Sequence, residues 1–511
     1  MGTAIGIVAA VLKEVRAAIA SGVLVVGIVS AGMPVAEADH EPPPVDLQVD
    51  TFSDTFDGSC ADGDCSLRDA VASASPGQTI GMPSGLFVLT LSGPGGVGSG
   101  DLDIDRDLAI VGIGQTGTFI DATGIGDRAF EISNATVSLE RLTIFAGTID
   151  DRGAGVSIVE DANASLHLIT MQGGHARNGG GVAVTDATLE LQGSVLLDTV
   201  ADRRGGGVFV QGTSSADVTG STIAGAQASS GGAVWTGASG TVNVNRSTIA
   251  RNEATTGGGI RATDGETRVH RVTIARNEAT IGAALVGDAP IRISGSAIAL
   301  NRSASSTPCI GAFVSGGTNV GTRGTASCGL VRRGDQVVRD LRLGPLASHG
   351  GPTPTISLLP SSPAVDAGND CREADQRGAR RDGACDAGAY ELVRCAGVLV
   401  NVVGTRHDDE LSGGRPDDGL LGQAGDDELQ GSIGADGMCG GHGSDRLLGG
   451  PGDDRIIGSS GDDRLLGEDG DDRLHGGAGW NTLIGGPGRD VCLVSRRDDR
   501  TRSCEVIRRI R

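Results

Sequence analysis

Near its C-terminal end the chain carries ten nine-residue units that follow one another without an insertion. From residue 404 they read GTRHDDELS, GGRPDDGLL, GQAGDDELQ, GSIGADGMC, GGHGSDRLL, GGPGDDRII, GSSGDDRLL, GEDGDDRLH, GGAGWNTLI and GGPGRDVCL. Glycine recurs at positions one, two and four, aspartate at position six and an apolar residue at position eight. Such a period holds one six-residue turn and one short strand, and it predicts short coils stacked in parallel.

Stacking these units creates an electrostatic problem. If two units form one turn of a flattened coil, alternate units share an edge and their sixth-position carboxylates lie about 5 Å apart, a repulsion of about 3 kcal/mol per pair at a dielectric near 20. A cation is therefore needed, and calcium fits because it accepts six or more oxygen ligands in flexible geometry. Magnesium requires a tighter octahedron, and zinc prefers nitrogen or sulfur. The glycines are expected to adopt positive φ and to aim their carbonyls inward.

The units resemble the RTX, or hemolysin-type, calcium-binding nonapeptide GGxGxDx-apolar-x over residues 404 to 493. The resemblance implies that Ca²⁺ lies between neighbours on the same edge, held by two sixth-position side chains and by turn carbonyls. The predicted ligands of one edge are Asp409, Asp427, Asp445, Asp463 and Asn481. Those of the other edge are Asp418, Asp436, Asp454, Asp472 and Asp490.

Some units depart from the pattern. His407 and Pro416 replace the fourth-position glycine and Asn481 removes a charge, so weaker ion sites are expected there. The alternative to an ion-binding array is a soluble array of acidic turns. The additional aspartates at position five are expected to face solvent and to raise the local cation concentration: Asp426, Asp453, Asp462 and Asp471.

A longer period of 26 residues occupies the centre of the chain. It is marked by Gly153, Gly179, Gly205, Gly231 and Gly257, with β-branched runs between them. Short strands separated by glycine and asparagine turns predict a right-handed parallel β-helix over residues 85–393, including a terminal cap.

Asparagines recur within this period at nearly constant phase. Asn252, Asn277 and Asn301 either form a ladder along one turn or are solvated turn residues. The sequence leaves both interpretations open.

Two segments bracket the predicted helix. CADGDCSLRDAVASA, in residues 39–84, closely resembles the CSLREA-type segment of bacterial surface and secreted β-helix proteins, with Asp69 where that family has Glu. SSPAVDAGNDCREADQRGARRDGACDAGAYE resembles the terminal segment of the choice-of-anchor and polymorphic outer-membrane-protein type. The resemblances imply two ends of one β-helix. The nonapeptides and the tail then predict a roll at 394–493 and a cap at 494–511.

Charge and cysteine content restrict the environment and the partners. The net charge of −22 leaves no basic face for nucleic acid, and beyond the N-terminal leader no stretch is apolar and long enough to span a bilayer. Ten cysteines in an exported chain predict disulfides. Their spacing suggests the pairs Cys60–Cys65, Cys309–Cys328, Cys371–Cys385, Cys395–Cys439 and Cys492–Cys504.

Residues 1–38 are predicted to be a signal peptide that is cleaved after Ala38, with an uncleaved membrane anchor as the alternative. The protein is expected to be secreted, either free or attached to the cell surface. By the RTX resemblance, low cytosolic calcium would keep the roll unfolded until export. The basic tail is expected to close the roll as a hairpin linked by Cys492 and Cys504, either as a solvated cap or in contact with an anionic surface.

The β-helix offers few catalytic candidates. Polysaccharide lyases and epimerases of this fold commonly use Lys, Arg or Tyr, whereas Lys13 is the only lysine and Tyr390 the only tyrosine. Trp235 is the only tryptophan in the predicted helix, so aromatic sugar platforms are scarce. Five residues share one phase and could form a site, with solvated turn residues as the alternative: Asp150, Asp151, Arg152, His175 and Arg177.

Three functional classes are compatible with the sequence. The favoured one is a secreted calcium-binding protein whose β-helix has a structural or surface-adhesion role, with extracellular glycans as candidate partners. The second is a calcium-dependent polysaccharide-active enzyme resembling a lyase or epimerase, and the third is a toxin. The sequence specifies metal sites but no reaction centre, so no catalytic residue is predicted.

Overall fold

The computed structural model describes residues 44–509 except 62, 94, 95, 370, 382, 383, 415 and 496–498. The predicted signal peptide lies outside these residues. The described chain is almost entirely strand and turn, with one α-helix, Leu67–Ser73, and one 3-10 helix, Thr325–Cys328. It forms a parallel β-helix followed by a parallel β-roll, so the predicted fold class is confirmed.

One coil of the β-helix contains four short strands. In the coil that begins at Val182 they are Val182–Thr185, Thr188–Gln192, Val195–Leu197 and Val200–Arg204. Val182 then pairs in parallel with Val208, which is 26 residues further along the chain. The glycine period of the sequence is therefore the length of one coil.

The strands stack into four columns, each described here by its position in the coil. The first column contains Leu102–Ile104, Phe130–Ser133, Val156–Val159, Val182–Thr185, Val208–Gln211, Val234–Thr236 and Ile260–Ala262. The second contains Leu47–Gln48, Gln78–Gly81, Leu108–Val111, Thr136–Glu140, Asn163–His167, Thr188–Gln192, Ser215–Thr219, Thr241–Asn245 and Glu266–His270. The longer strands Leu285–Ser294 and Cys309–Gly317 continue both columns.

The other two columns form the opposite sheet. The third contains Gly85–Val88, Thr118–Asp121, Thr143–Thr148, Thr170–Asn178, Val195–Leu197, Thr222–Ala224, Thr248–Ala250, Thr273–Ala275, Ala297–Ala299, Val320–Thr322 and Gln336–Val338. The fourth contains Val200–Arg204, Gln227–Ser230, Glu253–Thr256, Glu278–Ile281 and Arg302–Ser303. Because alternate residues of each strand point inward, the interior is a continuous column of Val, Ile and Leu side chains.

Ladders of polar side chains line two corners of the coils. Asn252 N–H donates to Asn277 Oδ1, and Asn277 N–H donates to Asn301 Oδ1, both at 3.0 Å. Asn252 and Asn277 are fully buried. The three asparagines therefore form a buried ladder rather than a row of solvated turns. The sequence did not indicate the second ladder, in which Ser194 N–H donates to Ser221 Oγ and Ser221 N–H donates to Ser247 Oγ, both at 3.1 Å.

Hydrogen bonds and a buried ion pair hold the N-terminal segment against the β-helix. The helix Leu67–Ser73 starts after Ser66, whose hydroxyl accepts a hydrogen bond from Asp69 N–H at 3.0 Å. Arg68 is fully buried; its guanidinium pairs with Asp54 at 2.8 Å and donates to the carbonyl of Gly100. The Ser-Leu-Arg-Asp run thus provides a helix cap and a buried ion pair in consecutive residues.

The terminal segment of the β-helix lies along its flank. Gln376 Nε2 donates to Thr222 Oγ1 at 2.8 Å, and Thr248 Oγ1 donates to Gln376 Oε1 at 2.6 Å. Gly388 N–H donates to the carbonyl of Gly295. The segment therefore contacts the sides of several coils, a placement that its resemblance to a terminal cap did not predict. Its strands are Leu343–Ala347 paired with Thr355–Leu358, and Arg394–Cys395 paired with Val398–Leu399, both antiparallel.

The β-roll has two facing sheets. One contains Val402–Val403, Gly419–Ala424, Gly437–His442, Arg455–Ser460, Arg473–Ala478, Val491–Val494 and Val506–Arg509. The other contains Glu410–Ser412, Glu428–Gln430, Arg446–Leu448, Arg464–Leu466, Thr482–Ile484 and Arg500–Arg502. The eighth-position side chains from Leu411 to Leu483 form the buried core between them.

The tail differs from the expected hairpin. Arg500–Arg502 pairs in parallel with Thr482–Ile484, and Val506–Arg509 pairs in parallel with Val491–Val494. The two tail strands belong to opposite sheets and do not pair with each other. The tail is therefore one further coil of the roll, because its two strands continue the parallel pairing after the glycine pattern ends.

All five suggested disulfides are present, and no described cysteine is free. Cys395–Cys439 ties the residues that enter the roll to its fourth unit, and Cys492–Cys504 ties the last unit to the tail coil. In the described part of the chain, no helix has the length and apolarity needed to cross a bilayer.

Candidate metal centre

The roll places the sixth-position residues in two straight series. Each strand pairs with the strand 18 residues further on, for example Leu420 with Met438, so units of alternate number share an edge. The backbone N–H of each sixth residue donates to Oδ1 of the next one on its edge. Asp454 N–H to Asp472 Oδ1 is 2.9 Å, and Asp445 N–H to Asp463 Oδ1 is 3.0 Å. The predicted two series are thus brought together as stacked columns.

The second oxygen of these carboxylates has no protein partner in most units. Seven sixth-position aspartates have a buried Oδ2 that no group in the described structure contacts as a hydrogen-bond donor. Each of these side chains is at most 2 % exposed. A buried carboxylate oxygen without a donor is strongly destabilising, so these atoms require a cation or a proton. They belong to Asp427, Asp436, Asp445, Asp454, Asp463, Asp472 and Asp490.

The electrostatic environment of these carboxylates favours the protonated form in the absence of a cation. Burial is the main cause, and neighbouring carboxylates of the same column add to it, while the backbone N–H donors oppose it. The pKa is raised to about 7 for Asp427, Asp454, Asp463 and Asp472. The pKa is also raised for Asp436, Asp445 and Asp490.

The glycines of the unit have two different roles, one of providing space and one of adopting positive φ. The expectation of positive φ at position one is wrong. At position one the requirement is space: a Cβ on Gly449 would lie 2.1 Å from Asp454 Oδ2 and 2.6 Å from the carbonyl oxygen of Gly467. At position four φ is positive, as in Gly452 at 146° and Gly470 at 144°. The first-position glycine therefore makes room for the sixth-position carboxylate of its own unit.

From the third unit to the tenth, position two adopts positive φ even where it is not glycine. Gln423, Ser432, Ser459 and Glu468 have φ between 72° and 86°. Side chains with a Cβ disfavour this region by about 1 kcal/mol or more. The surrounding ladder thus imposes this conformation on the turns.

Two units and the tail coil have a different turn. Asp409 Oδ2 accepts hydrogen bonds from Thr405 N–H at 2.6 Å and from Thr405 Oγ1 at 3.0 Å. Asp418 Oδ2 accepts one from Gly414 N–H at 2.8 Å. In the tail coil, Asp499 Oδ2 accepts one from Ser495 N–H at 3.0 Å. In these units the second-position amide caps the carboxylate of its own turn.

The fifth-position aspartates face solvent, as predicted. Asp453, Asp462 and Asp471 are exposed, as is Asp426. They also form an outer ladder that the sequence did not indicate, since Asp471 N–H donates to Asp453 Oδ1 at 2.9 Å. The two aspartates of each pair therefore have separate structural roles.

The donor set of the roll suits an ion that accepts backbone oxygens. Within the described residues, no three His, Cys, Asp or Glu side chains are grouped to hold one metal. Each gap between coils instead supplies two side chains, and further ligands would have to be carbonyl oxygens. That composition suits a hard cation such as Ca²⁺ and does not suit zinc.

The candidate cluster on the β-helix is dispersed. His175 Nε2 lies 2.9 Å from Asp202 rather than near Asp150, and both side chains are about half exposed. Arg177 Nε lies 3.7 Å from the largely exposed Asp150. Asp151 faces Arg128. Arg152 instead donates to Thr185 Oγ1 at 3.1 Å. The five predicted residues share a face but do not converge on one point.

Trp235 and Tyr390 are covered by neighbouring side chains. The Trp235 ring stacks on Phe209, with centroids 5.0 Å apart, and Arg204 covers it at 4.6 Å. Only 4 % of Trp235 is exposed. Tyr390 is also buried, with the Arg377 guanidinium 3.9 Å from its ring centre. Neither ring offers an open platform for a sugar.

The described surface carries two large grooves. One, of about 990 Å³, lies between the flank of the β-helix, the terminal segment and the first residues of the roll. The other, of about 720 Å³, lies at a corner of the β-helix and is lined by five arginines together with Glu253, Glu278 and Asp340. The arginines are Arg251, Arg276, Arg302, Arg323 and Arg339.

Most of the guanidinium groups that line this second groove are not used in ion pairs or hydrogen bonds within the described structure. Arg302 pairs with Glu278 at 3.6 Å. Arg276 Nη2 donates to the carbonyl of Gly344, while its buried Nη1 has no partner in the described structure. Burial and the nearby Arg251 lower the pKa of Arg276. This arginine groove is a local concentration of positive charge in an acidic chain.

The comparisons with known proteins concern the two parts separately. The RTX calcium-binding nonapeptide repeat, in a model of four copies, matches residues 403–438, 440–474 and 457–492. Among solved structures, pectate lyase Pel9A matches 68 % of this chain and 95 % of its own at 11 % identity and a TM-score of 0.33. A mutant of the PL6 family alginate lyase AlyGC matches 86 % of this chain and 78 % of its own at 9 % identity and a TM-score of 0.21.

Comparison with curated proteins finds no match. The repeat match coincides with the two columns of sixth-position side chains described above. RTX nonapeptide repeats bind calcium, and the roll formed by residues 403–492 of this chain carries them.

Proposed function

We propose that the protein is secreted and that its roll folds outside the cell when calcium binds. The observation that carries this proposal is the set of seven buried, unpartnered Oδ2 atoms in two stacked columns. Hydrophobic contacts and hydrogen bonds cannot compensate for stacked, ionised and buried carboxylates, so the roll needs a bound cation to fold when these groups are deprotonated. Binding and folding then become a single event.

The proposed ligands are the sixth-position side chains of each edge from Asp427 onward, together with turn carbonyls. Oδ1 of each aspartate is held by the N–H of the preceding coil, as in Asp436 N–H to Asp454 Oδ1 at 2.8 Å. This hydrogen bond fixes the carboxylate and leaves Oδ2 free for the ion. Asn481 keeps the same hydrogen bond from Asp463 N–H but supplies no charge, so the site beside it is weaker.

Secretion is supported by the disulfides and by the chemistry of the roll. Five disulfides require an oxidising compartment. Extracellular calcium reaches the millimolar range at which modules of this kind bind. In the cytosol the same carboxylates would stay unneutralised, which would keep the roll unfolded during export.

For the β-helix we propose a structural and surface-contact role rather than catalysis. The arginine groove supports a contact with acidic extracellular glycans, because guanidinium groups recognise carboxylate and sulfate in bidentate geometry. Arg251, Arg323 and Arg339 make no side-chain hydrogen bond or ion pair within the described structure and can meet such groups. Double substitution of Arg323 and Arg339 by Gln should abolish retention on an acidic glycan array. Arg268→Gln, on another face, should leave retention unchanged.

The main proposal is tested by limited proteolysis and circular dichroism of the full chain. Wild-type protein should lose a strand signal and become cleavable within residues 404–493 in chelator, and it should recover both properties in millimolar calcium. The double variant Asp454→Asn/Asp463→Asn should need more calcium for the same recovery. Asp453→Asn/Asp462→Asn is the matched control with the same change in net charge. Equal behaviour of the two variants would contradict the assignment of ligands.

A further inference from the structure

The turns of the roll exist in two forms, and the second-position residue separates them. In the units from Gly422 to Leu493 the second residue always has positive φ, and every sixth-position aspartate there has an unpartnered Oδ2. We call these open turns. Thr405, Gly414 and Ser495 do not adopt positive φ, and each donates its N–H to the aspartate of its own turn. We call these capped turns.

The two forms place different groups against the same carboxylate oxygen. In a capped turn the positive end of the second-position N–H points at Oδ2. In an open turn that N–H is directed to another coil, as where Glu468 N–H donates to the carbonyl of Gly485 at 2.9 Å. The positive φ of Glu468, 72°, accompanies this change. The amide dipole and a bound cation are therefore alternative ways to neutralise one oxygen.

The open series also extends past the last nonapeptide. Asp490 N–H donates to Glu505 Oε2 at 2.7 Å, and Val506 N–H donates to the carbonyl of Asp490 at 3.0 Å. The same two bonds join Asp472 to Asp490 and to Val491 in the preceding coil. Glu505 thus occupies the sixth position of a coil whose sequence has lost the nonapeptide pattern.

The last gap has the properties of the interior gaps. Asp490 is fully buried and its Oδ2 has no partner. Nothing in the described structure donates to Glu505 Oε1, and the Glu505 side chain is exposed enough to adjust its position. The longer glutamate side chain reaches the column although Glu505 is only 15 residues beyond Asp490.

We propose that the form of the turn, rather than the presence of a sixth-position carboxylate alone, decides which carboxylates bind calcium in this roll. Asp409, Asp418 and Asp499 are metal-free caps that close the two ends of the array. Glu505, outside the repeats, is a further ligand that completes an ion site with Asp490. The inference rests on the proposed function, since it refines which residues hold the ions.

The test counts bound calcium on the full chain by equilibrium dialysis and titration calorimetry. Glu505→Gln, which retains an acceptor for Asp490 N–H, should lose one ion. Asp409→Asn and Asp418→Asn should keep the wild-type number of ions. Asp454→Asn, in an open turn, is the positive control and should lose at least one ion.

Thermal unfolding in calcium distinguishes a folding defect from a lost site. Asp409→Asn should lower the unfolding temperature without changing the ion count, because the cap is structural. An ion count reduced in Asp409→Asn and Asp418→Asn as in Asp454→Asn would overturn the inference, as would an unchanged count in Glu505→Gln. Absence of calcium binding by the wild-type protein would instead contradict the proposed function.

Discussion

The β-helix and the roll solve the same stacking problem with different side chains. In the asparagine ladder, Asn252 N–H donates to Asn277 Oδ1 at 3.0 Å; in the roll, Asp454 N–H donates to Asp472 Oδ1 at 2.9 Å. The difference lies in the second atom. Asn277 Nδ2 donates to the carbonyl of Ile249 at 3.1 Å, whereas Asp472 Oδ2 cannot donate and has no partner.

The two ladders thus differ in one atom per residue. The asparagine ladder of the β-helix needs no cation, whereas the aspartate ladder of the roll depends on one. The amide ladder satisfies its buried groups within the protein, so the β-helix needs no metal at that corner. The carboxylate ladder makes the same hydrogen bond from backbone N–H to Oδ1 but carries a charge that burial makes unfavourable. The comparison predicts that exchanging amide and carboxylate moves the dependence on cations from one region to the other.

The largest effect is expected from Asn277→Asp in the β-helix. The new carboxylate would lie between Asn252 and Asn301 with its Oδ2 facing a carbonyl, so the free energy of unfolding should fall by about 3 kcal/mol. Urea denaturation of the β-helix measures the change. Asn163→Asp, at an exposed position, is the matched control and should have little effect. A loss of unfolding free energy in Asn277→Asp smaller than that in Asn163→Asp would contradict the comparison of the two ladders.

The second-largest loss of stability is expected where an added side chain would fill the space beside a sixth-position carboxylate of the roll. A Cβ on Gly449 would meet Asp454 Oδ2 at 2.1 Å, so Gly449→Ala should destabilise the calcium-bound roll by about 2 kcal/mol. Gly414→Ala is the control, because a Cβ there meets nothing within 4 Å and its turn is capped. Urea midpoints in calcium compare the two variants. Similar losses would contradict the assignment of a spatial role to the first-position glycine.

A smaller effect is expected in the serine ladder. Ser221→Ala removes the acceptor of Ser194 N–H and leaves that buried donor unsatisfied, which should lower the stability of the β-helix by about 1.5 kcal/mol. Ser229→Ala, at an exposed position, serves as the reference. Because the ladder is neutral, the loss should be the same in calcium and in chelator. A calcium-dependent loss would show that the two regions are not independent.

The smallest effect concerns protons as substitutes for calcium. The pKa of Asp454 and Asp472 is raised to about 7 in the metal-free roll, above the value of an unfolded aspartate. The folded roll therefore binds more protons than the unfolded chain, and its stability rises as the pH falls through 7 toward 4. In chelator, circular dichroism should show a partial gain of strand at pH 4.5 relative to pH 7.5. No gain would argue against stacked carboxylates as the cause of unfolding.

Much of the fold is readable in the sequence because both regions are periodic. The 26-residue glycine spacing equals one coil of the β-helix, and the sixth-position aspartates form the two columns that the nonapeptides predict. Periodicity fixes which residues stack, since each repeat must meet an equivalent neighbour.

Features that depend on the local backbone conformation or on a distant contact were not readable. The capped turns at Asp409 and Asp418 lack the positive φ that open turns have at positions two and four, and only the replacement of glycine by His407 and Pro416 marked these units as irregular. Glu505 lies outside the repeat spacing, so no pattern could place it in the column. The flank position of the terminal segment depends on contacts such as Gln376 with Thr222, 154 residues apart in sequence.

Hydrogen exchange of the intact protein, resolved by region, tests the central claim most directly. In chelator at neutral pH, amides of residues 404–493 should exchange freely while those of the β-helix strands between residues 78 and 338 stay protected. In millimolar calcium both regions should be protected. Equal protection of the roll in chelator and in calcium would show that its buried carboxylates need no cation, and it would contradict the account.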